Sequence, residues 1–179
     1  MTTCEPQAVL AYWLVPAKPP RSFFTSTIAE LAARYGAPVF EPHVTVYASR
    51  KGEENPEETL SSALARCEPF RLSVRDIQCS DEFTKTVFVR FEASAQLLAL
   101  SRAFQRTSTS HDECQLNPHL SLIYKEMTPA TRVGVAASIK LPFTEVLFDS
   151  AKAVVCPTPI RSREDVEAWR VVATQRLAQ

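Results

Sequence analysis

Apolar residues form two kinds of periodic segment that alternate along the chain. Short apolar runs such as 8–15 (AVLAYWLV), and segments with every second residue apolar such as 70–77 (FRLSVRDI), are typical of strands. Segments with apolar residues three and four positions apart predict helices. A charged loop is expected over 160–167. The predicted strands are 8–15, 43–48, 70–77, 86–92, 119–125, 143–148, 151–156 and 168–177, and the predicted helices are 22–35, 56–66, 94–106 and 129–139.

The order of these segments repeats. Residues 22–77 give helix, strand, helix, strand, and residues 94–148 give the same order again. This predicts an internal duplication, with two lobes related by a pseudo-two-fold axis and the strands at 43–48 and 119–125 meeting at that axis. The fold class is therefore α+β, with mostly antiparallel sheets flanked by helices. Only three glycines and no low-complexity linker are present, so a single domain over residues 1–179 is expected.

One short pattern occurs in both halves of the chain. Residues 42–46 and 118–122 each give Pro, His, an aliphatic residue, a hydroxyl residue and a second aliphatic residue. In a strand, residues i and i+2 point to the same face. His43 therefore shares a face with Thr45, and His119 shares a face with Ser121. Two such strands would present two imidazoles and two hydroxyls to one cleft.

Composition limits the classes of partner. The chain has 179 residues, of which 45 % are hydrophobic and 22 % charged, and its formal net charge is zero. A protein that follows a long phosphate backbone usually carries a basic excess, so extended nucleic acid is not an expected partner. The longest apolar run, 8–15, is far shorter than the segment needed to span a membrane. No signal peptide is recognised at the N-terminus. We therefore expect a cytoplasmic monomer with no membrane contact. Five dispersed cysteines without a CxxC pair predict small buried thiols, and a disulfide cannot be placed from sequence.

Two histidines and two hydroxyls suit the chemistry of a phosphodiester. The ordinary imidazole pKa of about 6.5 lets one histidine accept a proton from water while another donates one to a leaving oxygen. A hydroxyl can donate a hydrogen bond to a non-bridging phosphate oxygen. Acyl transfer fits less well, because no GxSxG elbow is present, and a nucleotide-binding P-loop is also missing.

A structural role is the usual alternative for a histidine at a strand end. Here two of the three histidines of the chain fall at matched positions of a repeated pattern, which favours a joint role for His43 and His119. His111 lies in a polar connection and is expected at the surface. No third Cys or carboxylate stands at ligand spacing, so neither a metal nor a cofactor is predicted.

These motifs carry a resemblance to a known family. His43-Val44-Thr45 and His119-Leu120-Ser121 resemble the paired H-x-[ST] motifs of the two-histidine (2H) phosphoesterase superfamily, and within it the plant-type cyclic phosphodiesterases. The likeness extends to 12–16, 40–45, 118–124 and 167–169. It implies a bilobal fold whose cleft lies between two antiparallel sheets. It also implies metal-independent hydrolysis of ADP-ribose 1″,2″-cyclic phosphate to ADP-ribose 1″-phosphate, and of nucleoside 2′,3′-cyclic phosphates to 2′-phosphates.

The resemblance also implies roles for single residues. One histidine would activate water and the other protonate the leaving oxygen, while Thr45 and Ser121 hold the phosphate. Tyr124 matches a phosphate-binding position; strict alternation puts it on the face opposite His119, so a bulge or the strand end must bring it in. Trp13 matches an aromatic position on the base-binding side of the cleft, with core filling as the alternative.

The segment 81–85 is more charged than the family pattern. Phe83 has a weaker claim than Trp13 to contact a base. Lys85 is interpreted as a solvated turn residue, with a cation near the phosphate as the alternative.

Three functions stay open. The first is a cyclic phosphodiesterase acting on small cyclic nucleotides. The second is processing of RNA ends, as in bacterial 2′–5′ RNA ligase-like proteins, and the third is a nucleotide- or RNA-end-binding module without turnover. Neutral charge weighs against the second, and the intact motif residues weigh against the third.

Overall fold

The computed structural model describes residues 7–50, 54–108 and 116–178. Elements are numbered in chain order, and a 3-10 turn at Phe83–Lys85 precedes the fourth strand. The strands are β1 Gln7–Pro16, β2 Val44–Arg50, β3 Phe70–Cys79, β4 Val87–Phe91, β5 His119–Ile123, β6 Glu145–Thr158 and β7 Arg170–Arg176, and the helices are α1 Pro20–Tyr35, α2 Pro56–Leu64, α3 Ala95–Thr107, α4 Pro129–Ser138 and α5 Arg163–Glu167.

Six of the seven strands close a ring. β1 pairs with β2, β2 with β5, β5 with β4, β4 with β3, β3 with β6, and β6 with β1, all antiparallel, while β7 lies beside β6. The two histidine-bearing strands meet through a single residue pair, Val44 with Leu120. The predicted α+β class is confirmed, and the two expected sheets are joined through this pair and through β6.

The pairing pattern has an internal symmetry. Exchanging β1 with β4, β2 with β5 and β3 with β6 leaves every pairing of the ring unchanged. The helices follow the same rule, because α1 packs on β5 while α3 packs on β2, and α4 packs on β3 while α2 packs on β6. A duplication would produce this arrangement, although the duplication itself stays a prediction.

Local sequence explains where the helices begin and end. The side chains of Asn55, Ser94 and Thr128 accept hydrogen bonds from backbone N–H groups in the first turns of α2, α3 and α4. Gly36 ends α1 in the left-handed conformation that glycine adopts most easily. Apolar faces of the sheet and helices enclose a core that includes the fully buried side chains of Tyr12, Phe24, Phe104 and Phe148.

Two predictions about the C-terminal part are wrong. The strands expected at 143–148 and 151–156 are one strand, β6, because Ser150 is paired with Val15 of β1 and Arg176 of β7 and the polar residues there do not interrupt the ladder. The expected loop at 160–167 contains α5. Its capping box, in which Ser162 and Asp165 satisfy each other's backbone N–H groups, stabilises the first turn.

Other predictions concern single residues and whole-chain properties. Cys67 and Cys79 are half-buried and Cys156 is buried, all three as free thiols, whereas Cys4, Cys114 and His111 lie outside the described residues. Within the described ranges, no helix is both long and apolar enough to cross a bilayer.

Candidate active site

The two histidines are held in the same way. His43 stands directly before β2, and its Nδ1 lies 2.6 Å from the backbone oxygen of Glu41. His119 begins β5, and its Nδ1 lies 2.8 Å from the backbone oxygen of Asn117. A carbonyl oxygen can only accept, so each Nδ1 carries a proton and donates it. In both neutral rings, Nε2 is therefore the nitrogen with a free lone pair.

Both rings line one cavity of about 240 Å³. The cavity brings together the predicted residues His43, Thr45, His119, Ser121 and Tyr124, and also Trp13. The other residues that line it are Val9, Ala11, Ala48, Thr84, Lys85, Cys156, Ile160 and Trp169.

Two matched irregularities shape the cavity face. Between β1 and β2 the register shifts at Tyr12/Trp13, which leaves Val46 as the extra residue of β2. Between β4 and β5 it shifts at Val87/Phe88, which leaves Leu122 as the extra residue of β5. Each bulge comes directly after the hydroxyl residue and reverses the alternation of faces beyond it.

The bulges place Tyr124 in the cavity. Along β5 and just beyond its end, the residues that line the cavity are 119, 121 and 124, and the step of three between the last two is what the expected bulge requires. On β2 the same spacing gives 43, 45 and 48, so Ala48 occupies the position that corresponds to Tyr124. Strict alternation along β2 would put Tyr47 on the same face as His43. This prediction is wrong, because the bulge turns the fully buried Tyr47 ring into the core beside Tyr12.

Burial favours the uncharged form of both histidines. His43 is 7 % exposed, and burial lowers its pKa to about 4, opposed by the hydrogen bond to Glu41. Burial also lowers the pKa of His119, and the positive charge of Lys85 acts in the same direction. The charge of a protonated His119 would also lower the pKa of His43, in agreement with the position of both rings in one cavity.

The two hydroxyls differ in their present partners. The Ser121 hydroxyl donates to the backbone oxygen of Thr84 at 2.7 Å and is also hydrogen-bonded with the Tyr124 hydroxyl. The Thr45 hydroxyl has no side-chain hydrogen bond to any described residue. Thr45 is therefore ready to donate to a ligand, whereas Ser121 must rotate away from Thr84 to do so. Burial raises the pKa of Tyr124, which keeps its hydroxyl protonated and able to donate.

Aromatic rings form one wall of the site. The Trp13 ring stacks on the His43 ring with centroids 3.7 Å apart and planes at 13°, and only 4 % of Trp13 is exposed. Trp169 meets His43, Trp13 and Tyr124 edge-on, at centroid distances of 5.7, 5.1 and 5.7 Å. Trp13 thus supports His43, and its contact with a base stays a prediction.

A second set of contacts holds the segment before His43. The carboxylate of Glu41 accepts two hydrogen bonds from Lys152 Nζ, at 2.6 and 2.8 Å, and is also paired with Arg21. These bonds tie the residue whose backbone orients His43 to β6 and α1. Sequence reasoning missed this pair, since Glu41 and Lys152 are 111 positions apart and no local pattern connects them.

Phe83 and Lys85, the first and last residues of the 83–85 turn, differ in their relation to the cavity. Phe83 lies outside the cavity lining, with its ring centroid 6.2 Å from that of Tyr124. Lys85 ends the turn and also lines the cavity, and its side chain is 28 % exposed, so its interpretation as a solvated turn residue stays a prediction, as does the alternative of a cation near the phosphate. Within the described parts of the chain, no three His, Cys, Asp or Glu side chains are grouped to hold a metal ion.

Comparison with known proteins places this site in a family. The model of the 2′-5′ RNA ligase superfamily matches residues 17–151, which include both histidine motifs. The chain belongs to this superfamily. The resemblance to 2H phosphoesterases is thereby confirmed.

Individual relatives agree with this assignment. The curated cyclic phosphodiesterase of Arabidopsis thaliana is 21 % identical over 173 residues, which span 94 % of this chain and 95 % of that protein. The crystal structure of E. coli LigT in apo form superposes with a TM-score of 0.62 at 16 % identity, covering 98 % of this chain and 99 % of that chain. The complex of E. coli LigT with 3′-AMP gives a TM-score of 0.57 at 14 % identity, covering 98 % and 100 %. These structures share the fold.

Proposed function

We propose that the protein is a phosphoesterase that hydrolyses small cyclic phosphates without a metal ion. The substrates would be nucleoside 2′,3′-cyclic phosphates, which give 2′-phosphates, and ADP-ribose 1″,2″-cyclic phosphate, which gives ADP-ribose 1″-phosphate. The observation that carries the proposal is the pair of imidazoles in one cavity, each with Nδ1 bound to its own chain and Nε2 left for a ligand.

The reaction uses both protonation states of imidazole. The neutral Nε2 of one histidine accepts a proton from water as the water oxygen attacks phosphorus, and the second histidine, protonated, donates to the ring oxygen as its bond to phosphorus breaks. One proton enters the pair and one leaves, so the two histidines exchange states during turnover. Thr45, Ser121 and Tyr124 donate to the non-bridging oxygens, where negative charge accumulates.

Several features of the cavity favour a small substrate. Its volume is about 240 Å³, and it has a single permanently charged side chain among its described lining residues, Lys85. The chain as a whole carries no net charge. A long RNA strand would require a basic path over the surface, whereas one cyclic phosphate requires only local donors.

The test uses protein treated with EDTA and the cyclic substrates named above, with products identified by phosphorus NMR. A 2′-phosphate product without added metal is expected. His43→Ala and His119→Ala should each lower kcat by a factor of about 10² or more, because each removes one proton-transfer group. Circular dichroism of each variant controls for folding.

Other outcomes would contradict the proposal. Binding of cyclic nucleotides without turnover would indicate the non-catalytic module, and activity confined to 2′–5′-linked RNA ends would indicate RNA-end processing. Turnover that persists at the wild-type rate in either histidine variant would exclude the two-histidine mechanism.

A further inference from the structure

Lys85 is unlike every other described residue of the cavity wall. It is the one permanently charged side chain among them, and none of them is a carboxylate. A phosphate entering the cavity therefore meets a single ammonium group and no fixed negative charge on the described lining.

The backbone of Lys85 is fixed at the cavity edge. Its N–H donates to the Glu82 backbone oxygen at 2.9 Å, and its own carbonyl accepts from the Ser80 hydroxyl at 2.8 Å. The carbonyl of the preceding Thr84 accepts from the Ser121 hydroxyl at 2.7 Å, which ties the turn to β5. The long side chain of Lys85 thus extends from an anchored base and can change partners without moving the turn.

The present partner of the ammonium group is outside the cavity. Lys85 Nζ lies 3.0 Å from Glu82 Oε2, and the side chains are 28 % and 59 % exposed. Glu82 is not part of the cavity lining. Ion pairs at this level of exposure are weak, so the ammonium group can exchange one anion for another at little cost.

The charge of Lys85 also reaches the catalytic group. Next to burial, it is the main cause of the lowered pKa of His119, and the charge of Glu82 acts in the opposite direction. Lys85 and His119 line the same cavity, so a phosphate bound next to His119 lies on the wall to which Lys85 belongs.

We propose that Lys85 is a phosphate-binding residue whose ammonium group exchanges the Glu82 carboxylate for a non-bridging oxygen of the bound phosphate. Glu82 then competes with anionic ligands for Lys85 and lowers their affinity for the cavity. The inference rests on the proposed function for the identity of the substrate. Binding of an anion by Lys85 can be measured separately, without turnover of a substrate.

The experiment measures binding of inorganic phosphate and of 2′-AMP by isothermal titration calorimetry, with adenosine as the ligand that lacks phosphate. Lys85→Gln should weaken both phosphate ligands by about tenfold or more, as expected for a lost hydrogen bond between charged groups. Lys85→Arg should keep most of the affinity. Adenosine should bind all variants alike.

The substitution Glu82→Gln should change phosphate affinity in the opposite direction. It should tighten phosphate binding by about two- to fivefold, because the exposed pair no longer competes. In the Lys85→Gln background the same change should have no effect, since Glu82 acts only through Lys85.

The proposal is overturned if Lys85→Gln keeps phosphate affinity within twofold, or if Glu82→Gln weakens binding as Lys85→Gln does. Failure of the proposed function has a different signature: phosphate would bind and respond to both substitutions while no cyclic substrate is hydrolysed.

Discussion

Acidification from pH 7 to pH 5 should destabilise the folded protein through His43. Burial lowers the pKa of this imidazole from 6.5 to about 4. Below pH 6.5 the unfolded chain binds a proton at His43 that the folded protein does not bind, so the stability contributed by the neutral buried ring is lost as the pH falls. The loss begins near pH 6.5 and is complete near pH 4.

The magnitude follows from the two pKa values. One pKa unit corresponds to about 1.36 kcal/mol, so the interval from pH 6.5 to pH 5 costs about 2 kcal/mol of unfolding free energy. His43 is only 7 % exposed, so no large reduction for solvent screening applies. His119 contributes in the same direction because its pKa is also lowered.

The assay is urea unfolding at pH 7 and pH 5, with the wild type compared with His43→Gln. The substitution changes the unfolding free energy at both pH values. The informative quantity is therefore the loss of unfolding free energy between pH 7 and pH 5, which should be smaller in the variant by about 2 kcal/mol. Thr45→Val is the matched control, since it alters the same cavity without removing a titrating group, and it should keep the wild-type pH dependence. Equal losses in the wild type and His43→Gln would show that the ring is not held neutral by burial.

Two further predictions concern the cavity wall. Thr45→Val should lower kcat/KM for 2′,3′-cyclic AMP by about tenfold or more, while the free energy of unfolding changes by less than about 0.5 kcal/mol. Ser121→Ala should lower both kcat/KM and the free energy of unfolding. The loss of stability is about 1 kcal/mol, because the Thr84 carbonyl loses its hydrogen-bond donor. Steady-state kinetics and urea unfolding of the two variants check this, and equal stability would contradict it. Trp13→Phe should lower kcat more than it raises KM, since Trp13 supports His43; an unchanged kcat with a large rise in KM would instead favour stacking on a base.

The part of the site formed by the two repeated motifs could be predicted from the sequence. The matched motifs predicted that His43, Thr45, His119 and Ser121 share a cleft, because alternation along a strand needs only local spacing. The same alternation could not place Tyr124 or Tyr47, since a bulge depends on how two strands pair and leaves no mark in either strand alone.

Other features were missed for different reasons. The pattern Ser162-x-x-Asp165 was a local signal for α5 and was overlooked in a short charged segment. The contacts of Glu41 with Lys152, and of Trp169 with His43, join residues far apart in the chain, and only the closed ring of strands brings them together.

The two halves of the site differ in the aromatic contacts of their histidines. Trp13 is paired with Thr45, and Phe88 with Ser121, so these two aromatic residues occupy corresponding places. Trp13 stacks face-to-face on His43, whereas Phe88 meets His119 edge-on at 5.5 Å.

The same asymmetry divides the cavity lining. Beside β1 and β2 the lining includes the apolar side chains of Val9, Ala11, Trp13 and Ala48 together with the hydroxyl of Thr45, and beside β5 it includes Lys85, Ser121 and Tyr124. Under the proposed function, the charge of the phosphate is best matched on the β5 side, where Lys85 lies, and the less polar part of the nucleotide on the β1–β2 side. The repeated motifs place two imidazoles at corresponding positions, and the residues that differ between the two halves make the cavity asymmetric.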